Sequence, residues 1–135
     1  MRRYLAKVSC PLLDRIDMLV QVPPVAKGLL RHDKVVEPGE DSATVRERVT
    51  LAITRQVARS GKANYGLSHE ELASFCKLKD SDYQLLEQAI TRFGLSARAY
   101  HRILKVARTI ADLAYCEAIE TLHLTEAIGY RRMDT

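Results

Sequence analysis

The sequence has little of what would cross-link a domain or hold it in a membrane. Its three cysteines, at positions 10, 76 and 116, are odd in number and far apart, so they fit neither a zinc site nor a secreted disulfide framework. Reduced thiols in a cytoplasmic protein are the usual meaning of such a pattern. No signal-peptide pattern is present, and the apolar runs are far shorter than the roughly 20 residues of a membrane helix. We therefore expect a cytoplasmic protein without a membrane partner.

The sequence also lacks motifs that bind nucleotide phosphates or metal ions. A phosphate-binding loop needs Gly-x-x-x-x-Gly-Lys followed by Ser or Thr, whereas Gly61 and Lys62 are followed by Ala63. No apolar strand ends in paired acids that would hold Mg²⁺, and the four histidines form no metal-like pair. This chain alone is therefore predicted to bind no metal or cofactor and to have no catalytic activity of its own.

What is present suits one ordinary domain with a mild positive charge. At 135 residues and 47% hydrophobic content, the chain is long and apolar enough to bury a core. Its net charge of +4 permits contact with a polyanion but does not require it. The basic excess lies mainly in residues 42–66, where five basic side chains accompany one acidic side chain.

The N-terminal part differs from the rest. Residues 16–22, IDMLVQV, have the pattern of a short strand, and Pro23 ends it. No second strand follows, and a lone strand has no pairing partner. Residues 1–25 are therefore interpreted as the end of a larger sheet-containing domain, and residues 26–41, with proline, glycine and mixed charge, as a linker.

Residues 42–135 are dominated by helical periodicity. Ser68 and Glu71 form a capping-box pattern at one helix start, and the connections are short, which favours a compact bundle. The predicted fold is all-α, a helical bundle with one strand in the N-terminal remnant. The helices are expected over residues 42–59, 68–76, 80–93, 96–113 and 121–130.

Apolar residues at helical spacing predict which face of each helix is buried. The first helix is expected to turn inward Val45, Val49, Ala52, Ile53 and Val57. The fourth is expected to bury Tyr100, Ile103, Leu104, Ala107, Ile110, Ala111 and Ala114. The fifth is expected to bury Leu122, Leu124, Ala127 and Ile128.

The stretch 94–113 is the most informative part of the chain. Gly94 can close the preceding helix, and Ser96 can accept hydrogen bonds from the first free N–H groups of the next. Arg98 lies in the first turn, where backbone donors and the helix dipole favour an anion. Arg102, Lys105 and Arg108 continue a row of cations on the same face. The row is open to two interpretations, phosphate contact at Arg98 or an ordinary solvated face.

Arg15 is a second candidate phosphate ligand, just before the predicted strand. Its planar charged fork suits the phosphate oxygens of a nucleotide held by a neighbouring subunit. The alternative is a surface ion pair with Asp14 or Asp17.

Two stretches together resemble magnesium-chelatase-like AAA+ ATPases. Residues 8–17, VSCPLLDRID, resemble the family's Ser-Gly-Pro-Leu-Leu-Asp-Arg-Ile/Phe-Asp segment, with Cys10 where the family usually has Gly. Residues 94–113 resemble the lid helix of the same proteins, with the closest match in the ComM-type (competence protein) branch.

The resemblance implies a C-terminal fragment of an ATPase. Residues 1–25 would be the end of the AAA+ core, and residues 42–135 its helical C-terminal domain. Arg15 would be the arginine finger that reaches the ATP of the adjacent subunit, and Arg98 a sensor-2 arginine at the γ-phosphate. ATP and Mg²⁺ would be bound by the full-length protein in a ring of identical subunits, usually a hexamer, whereas this chain lacks the Walker A and Walker B motifs.

The ComM-type branch also implies DNA remodelling as the work of the motor. The cations considered for contact with nucleic acid are Arg46, Arg55, Arg59, Arg102 and Lys105. The alternative to a motor domain is a stand-alone helical module that binds DNA or another protein.

Overall fold

The structure is a computed structural model that describes residues 15–24 and 39–131. Within these residues the chain forms a bundle of five α-helices, and a 3-10 turn at Asn64–Gly66 follows the first of them. The predicted all-α class is confirmed, and each predicted helix is found with its ends within one residue. The helices are α1 (Ser42–Ser60), α2 (His69–Phe75), α3 (Asp80–Phe93), α4 (Ala97–Leu113) and α5 (Thr121–Gly129).

Side chains cap the starts of α1, α2 and α4, and the caps at Ser68 and Ser96 are those that the sequence predicts. Ser68 Oγ accepts the Glu71 N–H at 3.3 Å, and the Glu71 carboxylate accepts the Ser68 N–H at 2.7 Å, which completes the capping box. Ser96 Oγ accepts the Ala99 N–H at 3.2 Å, and Asp41 caps α1 in the same way. These bonds satisfy backbone donors that have no partner within a helix.

Two glycines close helices in the left-handed conformation. Gly61 after α1 has φ of 74°, and Gly94 after α3 has φ of 60°. Side chains with a Cβ rarely adopt this conformation, so glycine is favoured at both positions. The turn at Gly94 brings the chain directly into Ser96 and α4, which begins three residues later.

Helix α4 lies at the centre of the bundle and contacts α1, α2 and α5. Three of its four alanines, Ala99, Ala107 and Ala111, are fully buried, and their small side chains allow neighbouring helices to approach closely. Helix α3 packs against α5 on the far side. The larger buried aliphatic side chains of this core are Leu67, Leu72, Leu86, Ile103, Leu104, Ile119, Leu124 and Ile128.

Helix α1 buries a narrower face than the sequence predicts. Ala52 and Gln56 are its buried residues, whereas Val49, Ile53 and Val57 are 46%, 43% and 47% exposed. The inward positions predicted for these three are therefore wrong. Residues four apart are displaced by about 40° around a helix, so the row rotates away from α4. The buried face instead follows Gln56, whose side-chain amide has a partner inside the domain.

Two smaller errors concern helix ends. Leu122 is 60% exposed because it lies in the first turn of α5 on its outer side, and Ala114 is exposed as the residue that ends α4. Ile119 and His123 are buried near these positions. The remaining predicted core residues of α4 and α5 are buried or half-buried.

The predicted strand over residues 16–22 is wrong. Residues 15–24 are irregular, because a strand requires a neighbouring strand and the described part of the chain offers none. The Leu19 N–H instead donates to the Tyr130 carbonyl at 2.8 Å, which holds this segment at the end of α5. Cys10 and most of the predicted linker lie outside the described residues, and the division of the chain at residues 25 and 41 stays a prediction.

None of the helices in the described part of the chain is long and apolar enough to cross a membrane.

Candidate functional site

Arg98 is presented to solvent by the first turn of α4. Ser96 starts the helix, Ala99 anchors its first turn in the core with no exposed surface, and the intervening Arg98 is exposed. Its guanidinium has no hydrogen-bond or ion-pair partner among residues 15–24 and 39–131. A cation at a helix N-terminus is unfavourable by itself, since the dipole there is positive. An anion bound at this point would be stabilised by both the guanidinium charge and the helix dipole.

Arg15 is also exposed and has no partner within the described residues. Asp17, which the sequence offered as an ion-pair partner for Arg15, instead pairs with Arg102 of α4, with 2.8 Å between carboxylate and guanidinium. Asp14, the other partner considered, lies outside the described residues. Within the part of the chain that the structure describes, the Arg15 side chain thus has no partner.

Three contacts hold the residues after Arg15 against the helices. We call them the clamp. They are the ion pair of Asp17 with Arg102, the hydrogen bond from the Arg131 guanidinium to the Ile16 carbonyl, and the hydrogen bond from the Leu19 N–H to the Tyr130 carbonyl. The clamp thus attaches the segment to both α4 and the end of α5. The sequence shows neither Arg131 nor Tyr130 as functional, because nothing in its pattern links them to residues more than 100 positions earlier.

A groove of about 480 Å³ lies beside the clamp. Its walls combine Met18 and Ile110 with the charged side chains of Arg102 and Lys105. Lys105 Nζ donates to the Tyr65 carbonyl at 2.8 Å, which ties α4 to the 3-10 turn. The groove is thus lined by both apolar and charged groups, and the charged ones are already engaged within the chain.

A polar cluster lies between α1 and α4, and the sequence did not reveal it. Asp112, fully buried, accepts two hydrogen bonds of 2.7 Å from Arg59 and one of 2.9 Å from Asn64. Burial acts to raise the pKa of the Asp112 carboxyl, but the bonds from Arg59 and Asn64 and the nearby charge of Arg108 outweigh it and lower that pKa below its ordinary value. The Asp112 bond in turn raises the pKa of Arg59.

Arg108 belongs to this cluster and not to the exposed row of cations expected from the sequence. Its guanidinium is 3.1 Å from Asp112 and donates to the Glu117 and Cys116 carbonyls at 2.6 and 2.7 Å. Burial lowers the pKa of Arg108 from its usual range. Arg108 does not continue the exposed row of cations, because its guanidinium binds the turn that follows α4. The backbone carbonyls there have no helical partner and need donors.

The five cations considered for nucleic acid do not form one free basic face. Arg46 is exposed and has no partner among the described residues. Arg55 lies over the Tyr115 ring, 5.8 Å from its centroid. The other three have partners within the chain, which are Asp112 for Arg59, Asp17 for Arg102 and the Tyr65 carbonyl for Lys105. Contact of these residues with nucleic acid stays a prediction.

The described part of the chain contains no group of three side chains suited to a metal ion. His69 and His101 do meet edge to face, with their ring centroids 4.5 Å apart. Burial, together with the charges of His69 and Lys105, lowers the pKa of His101. This pair lies on α2 and α4 and lines a different pocket from the groove beside the clamp.

Fold and site together define a helical domain that presents two exposed arginines, one on its central helix and one on a segment clamped to that helix. Residues 39–131 match the family described as magnesium chelatase, subunit ChlI C-terminal. The chain is 48% identical to the competence protein ComM of Haemophilus influenzae. The 131 aligned residues are 97% of this chain and 25% of ComM. It is 46% identical to YifB of Escherichia coli, a protein described as uncharacterized. The 132 aligned residues are 98% of this chain and 26% of YifB.

The chain therefore belongs to the magnesium-chelatase-like family, in its ComM-type branch, and corresponds to the C-terminal domain of that family. The resemblance seen in the sequence is confirmed. The chain spans about a quarter of the length of the relatives it matches.

Proposed function

We propose that this chain is the C-terminal helical domain of an ATP-driven ring motor and supplies two arginines to its nucleotide sites. One observation carries the proposal. Arg15 and Arg98 are exposed without partners in the described residues, whereas Arg102 and Lys105, which follow Arg98 along α4, are paired within the chain. A free guanidinium can bind a phosphate without first losing a partner, whereas a paired one cannot.

The two arginines have different parts in the proposed reaction. Hydrolysis of a phosphoanhydride spreads negative charge over the transferred group, and a guanidinium placed there lowers the barrier. Arg15 is the arginine finger and stabilises that charge on the nucleotide of an adjacent subunit. Arg98 contacts the γ-phosphate and makes the position of α4 depend on the state of the nucleotide.

The exposed guanidinium groups fit the phosphates of ATP, since they are planar donors with two or more free N–H groups. In this proposal Mg²⁺ is held by other parts of the longer protein. When bound, Mg²⁺ would neutralise phosphate charge. Arg15 and Arg98 are the residues of this chain that would face the nucleotide.

The rest of the proposal concerns the longer protein. Identical subunits assemble as a ring, usually a hexamer, in the cytoplasm, and the motor remodels DNA. A relative with 48% identity is named a competence protein, which supports the ComM-type branch and with it the DNA remodelling that the sequence resemblance implies.

The direct test is steady-state ATP hydrolysis by the longer protein that contains this chain. Arg15→Ala should lower turnover by roughly 10³–10⁵ with nucleotide binding retained, and Arg98→Ala should lower the apparent affinity for ATP. Lys77→Ala, which removes an exposed cation from the loop between α2 and α3, is the matched control and should leave both unchanged. Unchanged turnover in Arg15→Ala would refute the finger assignment, and unchanged affinity and rate in Arg98→Ala would refute the sensor assignment.

A protein-interaction module is the second candidate, and the exposed row of Val49, Ile53 and Val57 on α1 favours it. Three neighbouring apolar side chains on one helix face are suited to a protein partner. Binding of a protein partner in the absence of any effect of Arg15→Ala and Arg98→Ala would favour this function over the motor.

A further inference from the structure

We propose that Arg102 is a positioning residue for Arg15. By pairing with Asp17 it fixes the finger segment to α4, so that Arg15 and Arg98 move as one body. The proposal rests on the proposed function and adds to it a mechanical link between the two nucleotide-facing arginines.

The first step is the attachment of the finger segment. Arg15 is followed directly by Ile16, whose carbonyl accepts a hydrogen bond from Arg131. One residue further, the Asp17 carboxylate lies 2.8 Å from the Arg102 guanidinium. The backbone at Arg15 is therefore held within one or two residues of two anchored points, about 4–7 Å along the chain. Little of the segment is left to move independently.

The second step is the position of Arg102 on α4. Arg98 precedes Arg102 by four residues, which is one helical turn and about 6 Å of axial rise. The two side chains lie on neighbouring positions of the same helix face. If phosphate binding at Arg98 displaces α4, Arg102 therefore moves with the helix. Through its ion pair with Asp17, Arg102 then moves the segment that carries Arg15.

The third step is that the three contacts of the clamp attach the segment to different parts of the domain. The bond from the Leu19 N–H to the Tyr130 carbonyl is a backbone contact that fixes where the segment lies. Arg131 approaches the segment from beyond the end of α5. Of the three contacts, only the ion pair of Asp17 with Arg102 connects the segment to α4, the helix that carries Arg98 in its first turn. Since the Arg102 side chain is 22% exposed and that of Asp17 60% exposed, the pair is partly screened by water, so its loss should loosen the segment without unfolding the domain.

The geometry can be tested on this chain by hydrogen exchange of individual amides. The Leu19 amide should be protected in the wild type. Arg102→Gln and Asp17→Asn should each lower its protection about three- to fivefold, while the Ala107 amide in the middle of α4 keeps its protection and shows that the fold is intact. The swapped variant Asp17→Arg with Arg102→Asp should restore protection.

Arg98→Gln is the matched control for this experiment. It removes the same charge one turn away from Arg102 but breaks no contact within the described residues, so Leu19 exchange should not change. Equal Leu19 protection in the wild type, in Arg102→Gln and in Asp17→Asn would overturn the proposed attachment.

The consequence for catalysis is tested by ATP hydrolysis in the longer protein. Arg102→Gln and Asp17→Asn should lower kcat about three- to tenfold with KM for ATP unchanged, since a misdirected finger weakens the transition state but not ground-state binding. The swapped variant should recover kcat. If Arg102 served only the stability of the domain, Arg102→Gln would also lower the protection of the Ala107 amide, and the loss of kcat would follow the loss of the fold.

The outcomes separate this inference from the proposed function. If Arg15→Ala lowers turnover while Arg102→Gln and Asp17→Asn leave kcat at the wild-type value, the finger is real and the positioning role of Arg102 is refuted. If Arg15→Ala leaves turnover unchanged, the finger assignment fails and the positioning role fails with it, whereas Leu19 exchange still decides whether the attachment exists.

Discussion

Arg59 of α1 and Asp112 of α4, 53 residues apart in the chain, are joined by two parallel hydrogen bonds of 2.7 Å. The carboxylate is fully buried, and the guanidinium is mostly covered. The pair binds α1 to the central helix at a place where the apolar contact between them is narrow. A side chain that the sequence offers as a nucleic-acid ligand is thus part of the domain interior.

Removal of Asp112 should destabilise the domain strongly. In Asp112→Ala the guanidinium groups of Arg59 and Arg108 lose their shared counter-charge, and the Asn64 amide loses an acceptor. Loss of one partner from a buried ion pair costs about 3–5 kcal/mol of unfolding free energy, which urea unfolding of this chain would measure. Glu40→Ala breaks the exposed pair with Arg48 and serves as the control, with a clearly smaller change expected. Equal effects of the two substitutions would contradict the structural role of Asp112.

The same carboxylate should make stability depend on pH. The pKa of Asp112 is held below its ordinary value of 3.8 in the folded domain, so the unfolded chain takes up the proton first as the pH falls. Its contribution to stability is therefore complete above about pH 4 and is lost as the pH falls through the lowered folded-state pKa. Urea midpoints measured between neutral pH and pH 2 should fall steeply at the acid end for the wild type and less steeply for Asp112→Asn. Parallel curves would show that other carboxylates dominate.

The helices of this domain could be predicted because their signals are local. Ser68 with Glu71, Ser96 and Gly94 act on the backbone within a few residues, and these short-range preferences gave helix ends within one residue of those observed. The positions buried in α4 and α5 followed mostly from periodicity, since these helices have neighbours on a broad face.

The candidate site could be predicted only in part. Arg15 and Arg98 were singled out from their local sequence, whereas their roles as finger and sensor came from the resemblance and stay predictions. The partner of Asp17 is a residue 85 positions later, and burial of Arg108 depends on carbonyls of a turn. Such long-range pairings leave no periodic pattern in the sequence. The strand expected over residues 16–22 was wrong for a related reason, because strand formation depends on a neighbour and not on the segment alone.

The structure and the sequence periodicity make different predictions for substitutions on the exposed face of α1. Ile53→Thr should cost less than about 1 kcal/mol, since the side chain is 43% exposed. Leu104→Ala, at a position that periodicity also places in the core and that is 4% exposed, should cost about 2–5 kcal/mol. Both values come from urea unfolding with the wild-type chain as reference. A cost at Ile53 close to that at Leu104 would mean that α1 is packed more deeply than its contacts show.

Binding of duplex DNA by this chain alone should depend only weakly on salt. If all five candidate cations neutralised phosphates, the slope of log K against log salt concentration would be about −4 to −5. Three of them have partners that phosphate would have to displace, which leaves Arg46 and Arg55 and a slope of about −2. Fluorescence anisotropy over a range of salt concentrations measures the slope, and Arg46→Ala should reduce its magnitude by about 1, whereas Lys77→Ala should not. A slope near −5 whose magnitude decreases in Arg59→Gln, Arg102→Gln and Lys105→Gln would show that these three cations leave their internal partners when DNA binds. That result would favour the stand-alone DNA-binding function over the motor domain.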